Sequence, residues 1–176
     1  MSDASSSPTR AQTFAAMSAV LTGFQAGIIS PTLDPIDLNG LYLQTADAQA
    51  GTALVDQLLQ QFTSLQGQPK QVIADTLLAT DNPNPPPPPN TAWLARSIAK
   101  LWYVGSWYPA APPPAGGPPG IGTVASANAY IGGLMWKAAQ AHPMGYSAFT
   151  FGYWNTAPPS LEQFGVDIPS GGGSNG

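Results

Sequence analysis

The side chains able to do chemistry are few and poorly placed for catalysis. One histidine, His142, and nine acidic residues make up the supply of general acids and bases, and there is no cysteine to act as nucleophile, thiolate ligand or disulfide partner. From Asn82 to Leu161 there is not one Asp or Glu, yet that interval holds every tryptophan, His142 and three of the five cations. Paired carboxylates for proton transfer are therefore missing where the chain is most distinctive. A metal site needs several His or carboxylate ligands, which a lone histidine does not supply. His142 could assist a serine, but no nucleophile elbow accompanies it. The preferred reading is a helix-end histidine bonded to backbone. In Gly116-Gly117-Pro118-Pro119-Gly120-Ile121-Gly122, prolines stand where a dinucleotide fingerprint must open a helix, so no phosphate cradle is expected. The chain reads as a non-catalyst.

What remains distinctive is the run from Trp93 to Tyr108, with Trp93, Trp102 and Trp107 among its residues and two of the five basic side chains, Arg96 and Lys100. At helical spacing Leu94, Ile98, Leu101 and Gly105 form one stripe and Trp93, Arg96, Lys100, Tyr103 and Trp107 another. The first is expected to face a core. The second is either buried in the same domain or covered by a partner, because a monomer has little use for so large an aromatic and cationic face. Arg96 and Lys100 lie four apart with no acid in their helix, so they repel by a few tenths of a kcal/mol. Compensation could come from Asp47, Asp56 or Asp75, from the ring faces of Trp93 or Tyr103, or from a partner's carboxylates.

These residues need elements to position them. At 176 residues the chain is one domain long. Only 8% of it is charged, against roughly 25% in ordinary soluble domains, which suggests an exterior partly covered by another chain. A net charge of −4 argues against nucleic acid as a partner. The Ser-rich residues 1–12 read as disordered. Residues 14–29 are too short and too polar to span a bilayer; they read as the apolar part of an export signal behind Arg10 or, preferably, as an amphipathic helix with Phe14, Met17, Leu21 and Phe24 on one face. Residues 31–40 form a loop with turns at Asp34 and Asp37. A helix is expected over 45–65 with Leu54, Leu58, Phe62 and Leu65 inward. A second, over 69–80, buries Val72, Ile73 and Leu77 and pairs antiparallel with the first. Pro85 to Pro89 make a stiff spacer in a loop over 81–90, and Thr91 is placed to cap the focal helix. After a Pro/Gly loop over 109–122, Ser126 starts a last helix to about residue 140, whose Gly132-Gly133 pair implies close approach to another backbone. The uncharged aromatic tail that follows, with Tyr153 and Trp154, is expected to wrap over this domain or a partner, and 169–176 to be flexible coil. No segment alternates as a strand would. The expected architecture is all-α: one helical domain over 13–168, a small bundle of about four to five helices with long Pro/Gly-rich loops and an extended C-terminal tail.

Four short elements in order, Leu101-Trp102-Tyr103-Val104-Gly105, then Tyr130-Ile131-Gly132-Gly133-Leu134-Met135-Trp136, then Ala141-His142-Pro143, then Gly152-Tyr153-Trp154-Asn155-Thr156-Ala157-Pro158-Pro159, resemble the small (gamma) subunits of bacterial membrane-bound FAD-dependent sugar and polyol dehydrogenases. The likeness covers residues 91–160 and extends to the N-terminal half only in helical layout. It implies a non-catalytic partner of a large flavoprotein subunit that holds FAD and the catalytic residues and oxidises glucose, sorbitol or fructose in the periplasm. A cytochrome c subunit often takes the electrons, and membrane association comes only through the complex. The small subunit serves maturation and export of the large one, typically through a twin-arginine signal. Here Arg10-Ala11 stands where Arg-Arg would be expected, so the signal is degenerate or another subunit directs export. On this reading Trp93, Arg96, Lys100, Trp102, Tyr103, Trp107, Tyr108, Trp136, His142, Tyr153 and Trp154 form the partner interface. The alternative is a self-contained exported carbohydrate-binding module using exposed tryptophans.

Overall fold

A computed structural model describes residues 7–34, 36–80, 89–108, 122–143, 160–163 and 165–166. The chain is predominantly helical, as its patterning implies. In order the helices are α1 (Arg10–Thr22), α2 (Ala26–Ile29), α3 (Leu38–Ala50), α4 (Thr52–Ser64), α5 (Lys70–Leu78), α6 (Thr91–Val104), α7 (Ala127–Ile131) and α8 (Leu134–Ala138), with short strands β1 (Ser106–Trp107) and β2 (Thr123–Val124) between α6 and α7. Five helices of nine residues or more form the bundle. The strands pair antiparallel, Ser106 opposite Val124 and Trp107 opposite Thr123, a small ribbon that no alternation in the sequence announces.

Two helices organise the core. α6 packs against α1, α3, α4, α5, α7 and α8, and α1 against α2, α3, α4, α5 and α6. The α6 stripe expected to face inward does so: Leu94, Ile98 and Leu101 are fully buried, together with Ala95. On α1, Phe14 and Met17 are fully buried and Leu21 nearly so, while Phe24 and Ile29 continue the same apolar face into the core. Residues 10–29 are thus an integral layer of the fold. Thr9 to Gln12 are built into the first turn, contrary to the disorder expected there, while residues 1–6 lie outside the described residues. Thr9 Oγ1 accepts from the Gln12 N–H at 3.2 Å and Gln12 Oε1 accepts from the Thr9 N–H at 2.7 Å, a reciprocal capping box. Arg10 then reaches across to α3 and α4, donating to both Asp47 oxygens at 2.7 Å and to Asp56 Oδ1 at 2.6 Å.

Several expected boundaries move for local reasons. The single helix over 45–65 is two, α3 and α4, because Gly51 at φ 85°, ψ 137° breaks the ladder; the apolar period continues across the break, so periodicity alone hides it. α3 begins earlier, at Leu38, because Asp37 caps it by accepting from the Gly40 N–H at 2.9 Å. The cap of α6 is Asn90, one residue before Thr91, its Oδ1 accepting from the Trp93 N–H at 2.8 Å. Ser126 does cap α7, accepting from the Ala129 N–H at 3.0 Å. The expected last helix is split into α7 and α8 at Gly132-Gly133. Val72, expected inside, is 45% exposed on the outer face of α5, whereas Ile73 and Leu77 are buried. The chain closes on itself at Val166, which bridges antiparallel to Phe24, with Gly165 C=O accepting from the Gln25 N–H at 2.9 Å.

Candidate interaction surface

The focal helix presents its aromatic side chains in three directions. Trp102 points inward: it is 1% exposed and meets Tyr42 edge-on at 4.6 Å between ring centroids. Among the described residues its indole N–H has no hydrogen-bond partner, an unusual state for a buried donor. Trp107 is 4% exposed, because Gly105 turns the chain so that β1 folds back and sets Trp107 edge-on to Trp93 at 6.0 Å. Trp102 and Trp107 therefore cannot face a partner, which corrects the interface expected from the sequence. A helical wheel separates faces but cannot say which is covered by the chain's own later strands.

Gly105 is needed where it stands. Its φ of 68° is left-handed, and a Cβ there would collide with the Ala129 carbonyl of α7. The Ala125 N–H also donates to the Gly105 carbonyl at 3.0 Å, fixing β2 to the end of α6. On the other side of this corner, a Cβ on Gly133 would sit 2.9 Å from the Tyr103 carbonyl, the close backbone approach that the paired glycines imply.

Tyr103 is half-buried and donates its hydroxyl to the Thr22 carbonyl at 2.8 Å, with Phe24 edge-on at 6.1 Å. Burial pushes its phenol pKa up. It ties α6 to the end of α1 and so acts mainly inside the fold. Arg96 is exposed, but its guanidinium is committed: it donates to the carbonyl of Leu78 from Nε at 2.8 Å and to that of Ala79 from Nη2 at 3.1 Å. It satisfies the free carbonyls at the end of α5, favourable also against the helix dipole. Its compensation is therefore neither a carboxylate nor a ring; Asp47 and Asp56 are held by Arg10 instead. Lys100 lies 3.4 Å from the centroid of the Tyr108 ring, so a ring face stabilises this cation, though Tyr108 rather than Trp93 or Tyr103 supplies it.

At the α7–α8 end, Trp136 is half-buried, donates Nε1–H to the Tyr130 carbonyl at 2.8 Å and meets the Tyr130 ring edge-on at 5.4 Å. His142 is half-buried with Nδ1 3.1 Å from the Pro143 carbonyl, the backbone partnership expected of it. Tyr153 and Trp154 lie outside the described residues. Facing outward around the corner are Lys100 over the part-exposed Tyr108, Val124 of β2, and Tyr130 and Met135, the last two 37% and 39% exposed. A shallow cleft of about 310 Å³ between α3 and the ribbon is lined by Gln44, Thr45, Gln49, Trp107, Thr123 and Val124, all uncharged. Tryptophan stacking platforms for sugars are scarce, since Trp102 and Trp107 are spent on the core. Among the described residues there is no group of three His, Asp or Glu that could hold a metal ion, and no helix is long and apolar enough to cross a membrane.

Comparison with protein-family profiles, curated proteins and solved structures finds no match to this chain.

Proposed function

We propose that this chain is the non-catalytic small subunit of a periplasmic FAD-dependent sugar or polyol dehydrogenase complex. It stabilises the large flavoprotein subunit and assists its maturation and export. The observation that carries this reading is the packing of two distant sequence elements into one corner. Residues 101–105, at the end of α6, lie against residues 130–136, with Gly105 on the Tyr130 backbone N–H and Gly133 on the Tyr103 carbonyl. Those runs are the ones that carry the family resemblance. Glycines that permit such contacts are required for the corner to exist, which gives the short motifs a shared structural purpose. Around it the surface offers aromatic and cationic groups without a carboxylate on α6, α7 or α8, suited to an uncharged or acidic protein face.

In this reading FAD and the catalytic groups belong to the large subunit, a cytochrome c subunit can accept the electrons, and the membrane is reached only through the complex. The place of residues 10–29 in the core bears on export. Residues 10–29 supply Phe14 and Met17 from α1, Phe24 from the turn after it and Ile29 from α2 to the interior, and removing them would dismantle the fold. The test is co-expression of the large flavoprotein subunit with and without this chain. The reading expects soluble, FAD-loaded large subunit only when the chain is present; full activity and export of the large subunit alone would defeat it.

A further inference from the structure

The loop between α2 and α3 carries features that the fold itself does not use. Leu33 is 89% exposed and Ile36 is 44% exposed, although both are large and apolar. The loop is nevertheless tightly built. Asp34 Oδ1 accepts from the Ile36 N–H at 3.0 Å and the Asp37 N–H at 2.9 Å, and Asp37 in turn caps α3 from a left-handed backbone at φ 49°. The Asp34 and Asp37 turns thus hold the backbone of Ile36 and Asp37 in place, with Leu33 exposed just before them. Neither carboxylate has a cationic partner: the ion pairs among the described residues are those of Arg10 with Asp47 and Asp56.

The position of this loop is also informative. Leu38, the first residue of α3, packs on Gly132 at the α7–α8 turn. The loop therefore runs directly into the corner where Tyr130 and Met135 are exposed, and these four residues are most of the large exposed hydrophobic side chains among the described residues. A preformed apolar pair is what an interface anchor requires, because little conformational entropy is lost when it binds.

We propose that Leu33, Asp34, Ile36 and Asp37 are a docking hook for a partner protein: Leu33 and Ile36 enter an apolar recess whose rim carries Lys or Arg side chains facing Asp34 and Asp37. An anionic lipid surface would repel the two carboxylates. A second copy of this chain could answer the carboxylates only through Lys70 or Lys137, since Arg10 is paired with aspartates, Arg96 caps α5 and Lys100 covers Tyr108, and adducts between copies would reveal it. The hook extends the subunit reading by specifying the partner's chemistry, but it does not require that partner to be a flavoprotein.

The test is photo-crosslinking in cells from benzoylphenylalanine placed at position 33, with the same probe at the exposed position 72 of α5 as control. The expected result is one heterologous adduct, specific to position 33, mapping to an apolar segment bordered by Lys or Arg. Combining Asp34→Asn and Asp37→Asn keeps both side-chain acceptors and tolerates the left-handed backbone while removing both charges. This pair should reduce the adduct at least ten-fold without changing the melting temperature. Ile36→Lys, which leaves both carboxylates in place, should abolish it. Adducts only between copies of this chain, adducts equally strong from position 72, or an adduct indifferent to the Asn pair would each overturn the hook. If a flavoprotein co-purifies but gives no adduct at position 33, the hook fails and the subunit reading stands. If the adduct meets every criterion on a protein that belongs to no flavoprotein complex, and no flavoprotein co-purifies, the hook stands and the subunit reading fails.

Discussion

Trp102 shows how one residue can be both a chief stabiliser and a local defect. It is almost wholly buried against Tyr42, yet among the described residues its indole N–H is unpaired. Trp102→Ala should destabilise the chain by about 3–5 kcal/mol through the lost contacts and the cavity left behind. Trp102→Phe should cost at least about 2 kcal/mol less than that, because it keeps an aromatic ring and removes a donor whose isolation costs about 1–3 kcal/mol; urea denaturation of the pair measures the difference. Tyr42 and Tyr103 make a second prediction, on pH. Burial raises the pKa of both phenols, so the folded chain holds their protons more tightly than the unfolded chain does. Stability from this source is intact below the unfolded value of about 10 and is lost as pH rises through the folded values. Melting temperatures should fall above about pH 10, and Tyr42→Phe should make that fall shallower, while a fall of unchanged slope would place the alkaline sensitivity elsewhere.

At the scale of elements, the corner between α6 and α7 depends on a glycine that must be left-handed and free of a Cβ. Gly105→Ala should cost more than Gly23→Ala. Both positions have positive φ, with a backbone penalty of about 1–2 kcal/mol, but only Gly105 faces a neighbour, whereas a Cβ at Gly23 meets nothing within 4 Å. Thermal melts of the two variants decide this, and equal losses would mean that the Ala129 contact carries no energy. Elements of this kind were legible in the sequence where an apolar period met a local signal: the inward stripe of α6, the Ser126 cap, the Asp34 turn and the close packing of Gly132-Gly133. They were illegible where the cause is distant in sequence. Arg10 reads as part of a signal until Asp47 and Asp56 are seen beside it, and Arg96 reads as unpaired until the end of α5 arrives beneath it. Trp107 looks like surface because a helical period carried through Gly105 misplaces it; the chain folds back there and lays Trp107 against Trp93. The exposed pair Leu33 and Ile36 could have been suspected, since apolar residues between two Asp-centred turns have no periodic face to join.

For the whole molecule, α1 and α6 together form the centre around which the other helices pack. Deleting the residues up to Ile29 should abolish cooperative unfolding, as followed by circular dichroism, because four large hydrophobic side chains no more than 1% exposed would leave the core at once. A folded, cooperative truncated chain would show instead that the N-terminal helix is dispensable. The central functional claim is that this domain completes another protein. It is tested most directly by tagging the chain in cells that also make the large flavoprotein subunit, purifying it at moderate salt and recording the visible spectrum of the eluate. The account predicts a flavin spectrum and a second polypeptide in fixed ratio to this chain. A colourless, monodisperse monomer, beside a large subunit that is soluble, FAD-loaded and active by itself, would contradict it.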